Sequence, residues 1–134
     1  MPHLVILYTG NLEPKLPMDA LCRDAADAML AVRDEQSQQV FPTGGTRVLA
    51  YPAPHFAVAD GSGDYGFMYL NLRMGKGRSA ATQQRAGEAV LAAVRRHVDA
   101  LMTQQPIGVT LQVDEGHEVF DTKHSTLHPL FRKA

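Results

Sequence analysis

The order of hydrophobic and polar residues in the first half of the chain predicts a strand, a helix and a second strand. Residues 3–8 form a continuous apolar run rich in β-prone side chains, which predicts a strand buried on both faces. Apolar residues recur at helical spacing in 17–33, and Pro17 suits the first turn because its missing N–H would have no partner there. Residues 47–51 predict a short strand that the prolines after it break.

The second half of the chain repeats this order of elements. Alternating residues in 65–73 predict a half-buried strand, and 107–113 predict another. Between them, Ser79 is a candidate N-cap for a long helix that ends before Pro106. The predicted apolar stripe of this helix consists of Ala86, Val90, Ala93, Val94, His97, Leu101 and Met102.

The repeated β-α-β order predicts the fold class. Each helical connection makes the two strands that it joins parallel, with a right-handed crossover. We therefore expect an α/β fold, a two-layer sandwich in which two β-α-β units form a four-stranded mixed sheet with both helices on one face. The units span about 2–59 and 64–114, with a tail at 115–134, all in one domain of residues 1–134. The uncovered sheet face would be apolar or aromatic, which favours burial against other subunits.

Composition narrows the class of protein without identifying its chemistry. The 134 residues include 13 Lys and Arg and 14 Asp and Glu, a formal charge of -1, so no positive excess favours a nucleic acid or an anionic membrane as partner. The single cysteine excludes an internal disulfide, and no apolar run approaches the ~18 residues of a membrane span. The N-terminus has no basic leader, so we expect a cytoplasmic protein.

Pro2 is the first candidate for chemistry. Proline is small enough to permit removal of the initiator Met1, which would leave a secondary amine at the start of the chain. A free α-amino group has a pKa of about 8, and burial or nearby cations favour the neutral form that a general base needs. A buried strand follows at once and would hold the amine in place. Many ordinary proteins begin with Met-Pro, so this hypothesis depends on its context.

Two arginines supply that context. Arg78 follows a glycine-containing turn at 75–77 and directly precedes the long helix, where free N–H groups and the helix dipole favour anions. Its planar guanidinium group suits a carboxylate. Arg47 follows a second glycine-containing segment, 43–46, and begins the second strand. Either arginine alone would be an ordinary surface charge, but with an N-terminal amine they predict a site for an anionic substrate.

Further motifs extend along nearly the whole chain. In order, they are Pro2-His3, Phe41-Pro42, Gly45 with Arg47, Ala59-Asp60-Gly61, Asp64-Tyr65, Gly77-Arg78-Ser79, Gln84 with Ala86-Gly87-Glu88, Ala100-Leu101-Met102, and His128 with Leu130-Phe131. With the N-terminal proline and the two β-α-β halves, their order and spacing resemble the tautomerase superfamily. Within that superfamily they resemble the 5-carboxymethyl-2-hydroxymuconate Δ-isomerase family.

The resemblance implies an isomerase that works as a homotrimer without a cofactor. The family's catalytic base is the N-terminal proline, a role that falls on Pro2, and its substrate-binding arginines match Arg47 and Arg78. The implied substrate class is a dienol polycarboxylate such as 5-carboxymethyl-2-hydroxymuconate, from bacterial degradation of homoprotocatechuate. The implied reaction moves a proton from the 2-hydroxyl group to C5, which yields a 2-oxo-3-ene product.

The exact substrate stays open at this point. The family pattern has a second basic residue two positions after Arg47, where this chain has Leu49. A smaller enol acid, 2-hydroxymuconate or a phenylpyruvate-type enol, is the alternative substrate, and a non-catalytic trimeric binding module is the alternative function. The tail histidines His117, His124 and His128 lack the spacing of a zinc site, so we expect no metal.

Overall fold

The computed structural model describes residues 2–131, and these contain the predicted strands and helices. The strands are β1 (His3–Thr9), β2 (Arg47–Ala53), β3 (Gly66–Met74) and β4 (Ile107–Glu115), and the helices are α1 (Met18–Leu30) and α2 (Ala80–Met102). Short 3-10 helices occur at Gly10–Leu12, Thr43–Gly45 and His128–Phe131. Met1 and residues 132–134, which the sequence pattern assigns to the predicted domain, lie outside the described residues.

The strands form one mixed sheet in the order β2-β1-β3-β4. β1 pairs in parallel with β2, and β3 pairs in parallel with β4, so each helix connects two parallel strands. β1 and β3 pair antiparallel at the centre of the sheet, which joins the two β-α-β units. The predicted α/β fold with a four-stranded mixed sheet is therefore confirmed.

Both helices cover the same face of the sheet. Leu4 and Ile6 of β1 and Leu70 and Leu72 of β3 are completely buried on that face. They belong to a core that includes side chains of both helices, among them Leu21, Ala25, Met29, Val90 and Val94. The two helices also contact each other. The core therefore lies between one sheet and one layer of helices, as the β-α-β pattern predicts.

The other face of the sheet is uncovered in the described chain, and this corrects the prediction for the first strand. β1 is buried on one face only, because no second layer covers its other face and Leu7 there is 46% exposed. Leu49, Tyr51 and Phe67 are exposed on the same face. The same face also carries pairs of polar side chains that are hydrogen-bonded between β3 and β4. This open face is therefore mixed in character, and not uniformly apolar or aromatic.

Most element boundaries differ from the sequence prediction by one or two residues, and two of the differences have a structural cause. Pro52, which was expected to break the second strand, lies inside β2 opposite Tyr8. β2 is an edge strand, so a proline nitrogen can face outward without removing a bond to a neighbouring strand. α1 ends earlier than predicted, because the chain turns back and Arg33 pairs with Gln39 in an isolated bridge.

The long helix α2 begins as predicted and differs from the prediction near its end. Ser79 is the N-cap, and its side-chain oxygen accepts a hydrogen bond from the Thr82 N–H. His97 is mostly buried and contacts Asp24 of α1 at 2.6 Å. Met102, which the pattern placed on the apolar stripe, is 41% exposed because it is the last residue of the helix.

Within residues 2–131, no helix combines the length and the apolar character that a membrane span requires.

Leu70→Ala tests the one-sided core. Leu70 is completely buried in a central strand, so its truncation loses apolar burial and leaves a cavity. We expect the free energy of unfolding to fall by about 2–5 kcal/mol. Leu130→Ala, at a side chain that is 71% exposed, should change it by less than about 1 kcal/mol. Chemical denaturation at one fixed protein concentration measures both, and equal effects would contradict the assigned core.

Candidate active site

The three candidate residues lie at one end of the sheet. β1 and β2 both begin there, because they are parallel and His3 pairs with Arg47. β3 ends there, because its antiparallel register pairs His3 with Arg73. Pro2 directly precedes His3, and Arg78 follows the end of β3 after a short turn. We call this end of the sheet, where β1 and β2 begin and β3 ends, the Pro2 edge.

Pro2 itself is buried. The strand that follows it is paired on both sides, with β2 and with β3. A central strand does not fray, so the backbone at Pro2 has a fixed place. Burial also favours the neutral form of an amine over its charged form. The position therefore suits a nitrogen that must accept a proton.

Arg47 lies in a row of basic side chains on the open face. Residues directly opposite each other on neighbouring strands project from the same face of a sheet. Arg47, His3 and Arg73 form such a row across β2, β1 and β3. Arg73 contacts Glu118 at 3.5 Å, and both of these side chains are partly exposed. The row thus places two guanidinium groups on either side of the strand that Pro2 begins.

The surroundings of His3 favour its neutral form. Burial lowers the pKa of His3, and nearby positive charges, including those of Arg73 and Arg47, lower it further against an opposing effect of Glu118. A neutral imidazole adds no charge to the row near neutral pH. The positive charge of this row at neutral pH therefore comes from its arginines.

Arg78 is held in a defined orientation by backbone carbonyl groups. The turn before it requires a positive φ at Gly77, which is 109°. Arg78 Nη1 donates to the carbonyl oxygen of Gly75 at 3.0 Å, and Nη2 donates to that of Val40 at 3.1 Å. The guanidinium carbon lies 5.6 Å from the centre of the Phe41 ring. A guanidinium group has five N–H donors, so these two bonds leave donors for a carboxylate.

The two arginines at the Pro2 edge have different surroundings. Arg47 projects from the open face together with His3. Arg78 lies over Phe41, which belongs to the buried core beneath the helices. The structure therefore brings Pro2, Arg47 and Arg78 to one end of the sheet, with Arg47 on the open face and Arg78 beside Phe41.

The C-terminal segment also reaches this end of the molecule. A Cβ atom built on Gly44, just before β2, would lie 2.8 Å from the Cα of His128. Only a residue without a side chain permits this close approach between the two backbones. The 3-10 helix His128–Phe131 is thereby packed against the turn that leads into Arg47.

Residues near the Pro2 edge were not all predicted as site residues. Arg73 becomes a neighbour of His3 only through the register of β1 and β3, and Phe41 reaches Arg78 only through the fold of the α1–β2 connection. The alternation of side chains along β3 gave a weak indication that Arg73 lies on the open face, because every second residue of a strand projects from the same face. Leu49 lies opposite Val5, one row away from Arg47, and is 47% exposed. The open face is thus apolar at the position where the family resemblance implies a second cation.

The mixed sheet with a single layer of helices is a two-layer α/β fold that solved structures of other proteins share. The solved structure of a fused 4-OT symmetric trimer has this fold, with a TM-score of 0.57 and 17% identity over 97% of this chain and 99% of that chain. More specifically, the chain belongs to the 5-carboxymethyl-2-hydroxymuconate isomerase family, whose model matches residues 2–131.

Individual proteins that are similar to this chain are described by the same family name. The 5-carboxymethyl-2-hydroxymuconate Delta-isomerase of Escherichia coli is 26% identical over 132 residues, which cover 98% of this chain and 100% of that protein. A solved 5-carboxymethyl-2-hydroxymuconate delta-isomerase is 59% identical, with a TM-score of 0.95 over 100% of this chain and 95% of that chain. The isomerase of Deinococcus radiodurans R1 is 31% identical, with a TM-score of 0.87 over 98% and 95% of the two chains. The protein is therefore an isomerase.

Titration of His3 tests the electrostatics of the open-face row. We expect the pKa of His3 to lie below the ordinary value of a histidine, and to rise in Arg73→Gln because one nearby positive charge is removed. NMR titration of the His3 ring signal, assigned by its loss in His3→Gln, measures this. Arg95→Gln, on the exposed surface of α2, should leave the value unchanged. An identical His3 pKa in Arg73→Gln and in the unmodified protein would contradict the described row.

Proposed function

We propose that this protein is a keto-enol tautomerase that isomerises 5-carboxymethyl-2-hydroxymuconate without a cofactor. The observation that carries the proposal is the gathering of Pro2, Arg47 and Arg78 at one end of the sheet. Membership of the 5-carboxymethyl-2-hydroxymuconate isomerase family supports the substrate class. In this role the protein acts in the cytoplasm, in the degradation of homoprotocatechuate.

Pro2 is the general base in this proposal, once Met1 has been removed. With Met1 attached, the Pro2 nitrogen is part of an amide and cannot accept a proton. A free prolyl nitrogen is a secondary amine, and its basicity suits proton transfer near neutral pH. Burial and the adjoining central strand support the role, because they favour the neutral amine and hold it in one position.

The proposed reaction moves one proton and leaves the oxidation state unchanged. The Pro2 nitrogen takes the proton from the 2-hydroxyl group, and the electron pair shifts through the diene toward C5. C5 then forms a bond to a proton returned by the Pro2 ammonium group, which gives the 2-oxo-3-ene product and restores the amine. Arg47 and Arg78 bind carboxylates and stabilise the negative charge that develops on the 2-oxygen.

A homotrimer is the working unit in this proposal. Leu7, Leu49, Tyr51 and Phe67 are exposed on the open face, and soluble monomers seldom leave a contiguous apolar patch uncovered. The relative with the same fold that is described as a symmetric trimer supports this number of subunits. In the trimer, a second copy covers the open face and closes the Pro2 edge against water.

Leu49 favours a second candidate substrate, a dienol with fewer carboxylates such as 2-hydroxymuconate. The Leu49 and Val5 row next to Arg47 is apolar, so it offers no cation to a third carboxylate. An ultraviolet ketonisation assay with Met1-free protein should compare dienols that carry one, two and three carboxylates. The largest kcat/KM with three carboxylates supports the first candidate, and the largest with two supports the second. Failure of every dienol to react would leave the non-catalytic binding module.

Pro2→Ala tests the base. The variant keeps a primary amine at the N-terminus but loses the secondary amine and its rigid ring, so we expect kcat to fall by about 10²- to 10⁴-fold. Intact mass must first show that Met1 is absent from both proteins, and circular dichroism must show that both are folded. Unchanged turnover by the Met1-free variant would rule out the proposed mechanism.

Arg78→Ala tests the carboxylate contact. Loss of the guanidinium group removes charge-assisted hydrogen bonds to the substrate, so kcat/KM should fall by about 10²- to 10³-fold. Arg95→Ala is the matched control, because Arg95 is exposed and pairs with Asp99 on the same helix, far along the chain from the Pro2 edge. If both variants retain full kcat/KM, Arg78 does not bind the substrate.

A further inference from the structure

The connection between α1 and β2 forms a tight hairpin beside the start of α2. Val40 N–H donates to the carbonyl of Val32 at 3.2 Å, and Asp34 N–H donates to the carbonyl of Gln38 at 3.0 Å. The Asp34 carboxylate accepts two further backbone N–H groups within this hairpin. These bonds make residues 32–40, which we call the connection hairpin, one ordered unit, although several of its side chains are exposed.

The connection hairpin supplies part of the support for Arg78. The carbonyl of Val40, at the end of the hairpin, accepts the bond from Arg78 Nη2 at 3.1 Å. The next residue, Phe41, is completely buried and places its ring beneath the guanidinium group. The orientation of Arg78 therefore depends on where the hairpin sits relative to α2.

Glu35 attaches the hairpin to the first turn of α2. Its carboxylate accepts hydrogen bonds from Ser79 Oγ at 2.5 Å and from Thr82 Oγ1 at 3.2 Å, and it lies 3.6 Å from Arg85 Nη2. A carboxylate at a helix N-terminus is also stabilised by the helix dipole. Ser79 follows Arg78 directly in the chain, so Glu35 and Val40 of one hairpin bind two neighbouring residues just before α2.

The charge state of Glu35 suits this attachment. The hydrogen bond from Ser79 is the largest effect that lowers the pKa of Glu35, and its own backbone N–H, Thr82 and Arg85 also lower it. The carboxylate is therefore ionised throughout the neutral range. Because Glu35 is exposed, its carboxylate is held in place by hydrogen bonds and the ion pair rather than by burial.

We propose that Glu35 is a positioning residue for Arg78, which fixes the connection hairpin on the start of α2 so that Val40 and Phe41 hold the guanidinium group ready for a substrate carboxylate. This inference rests on the proposed function, in which Arg78 binds the substrate. Glu35 itself touches no substrate in this arrangement and acts only through Arg78.

Steady-state kinetics with 5-carboxymethyl-2-hydroxymuconate test the inference. Glu35→Ala should raise KM about three- to tenfold with a smaller fall in kcat, because the carboxylate contact of Arg78 is displaced while Pro2 is untouched. Glu35→Gln keeps an acceptor oxygen and should restore part of the loss. Glu88→Ala is the matched control, since Glu88 is an exposed glutamate of α2 whose carboxylate accepts a hydrogen bond from Gln84. An unchanged KM in folded Glu35→Ala would overturn the positioning role.

A double-mutant cycle separates this inference from the proposed function. If Glu35 acts through Arg78, Glu35→Ala should cause no further loss of kcat/KM in the Arg78→Ala background. Additive losses would overturn the positioning role while leaving substrate binding by Arg78 intact. Full activity of Arg78→Ala itself would instead overturn the proposed function.

An NMR measurement reports the side chain directly and needs no substrate. The Arg78 Nε–Hε signal, assigned by its loss in Arg78→Lys, should shift or broaden in Glu35→Ala and stay in place in Glu88→Ala. An unchanged Arg78 signal in Glu35→Ala would contradict the inference, whatever the kinetics. Glu35→Gln, which keeps an acceptor oxygen, should shift the Arg78 signal less than Glu35→Ala does.

Discussion

Antiparallel pairing between β1 and β3 is the contact on which the rest of the molecule depends. Each β-α-β unit alone is a two-stranded parallel ribbon with a helix on one side, and the β1–β3 ladder joins the two ribbons into one sheet. It also sets both helices on the same face, so that a single core forms between them and the sheet. Because the pairing is antiparallel, the start of the chain and the end of β3 meet, which brings Pro2 beside the turn that carries Arg78.

The positive groups at this edge are held by two different means. Arg47 and Arg73 are placed by strand register on either side of His3, and burial together with their charge keeps that imidazole neutral. Arg78, just before α2, is placed by the backbone carbonyls of Gly75 and Val40 and by the ring of Phe41. A guanidinium group anchored in this way loses little further freedom when it binds a carboxylate, which favours binding.

The one-sided core has a consequence for assembly. With both helices on one face, the opposite face of the sheet keeps exposed side chains such as Leu7 and Tyr51, and no part of residues 2–131 folds over them. The proposed trimer covers this face and closes the Pro2 edge with the same contact. A chain of this length folds into only two layers, one sheet and one layer of helices. In the proposed trimer, contact between subunits would exclude water from a site that one subunit leaves open.

The sequence by itself determined the order of elements, the fold class and the family, because helical and strand periodicity and short motifs are properties of neighbouring residues. It also marked Pro2, Arg47 and Arg78 as candidates through their places at the start of a strand or a helix. Only the tertiary structure decided that β1 is buried on one face, that Arg73 stands beside His3, and that a hairpin residue, Glu35, supports the start of α2. These features depend on strand register and on loop packing, which arise from contacts between residues far apart in the chain and leave no periodic pattern in it.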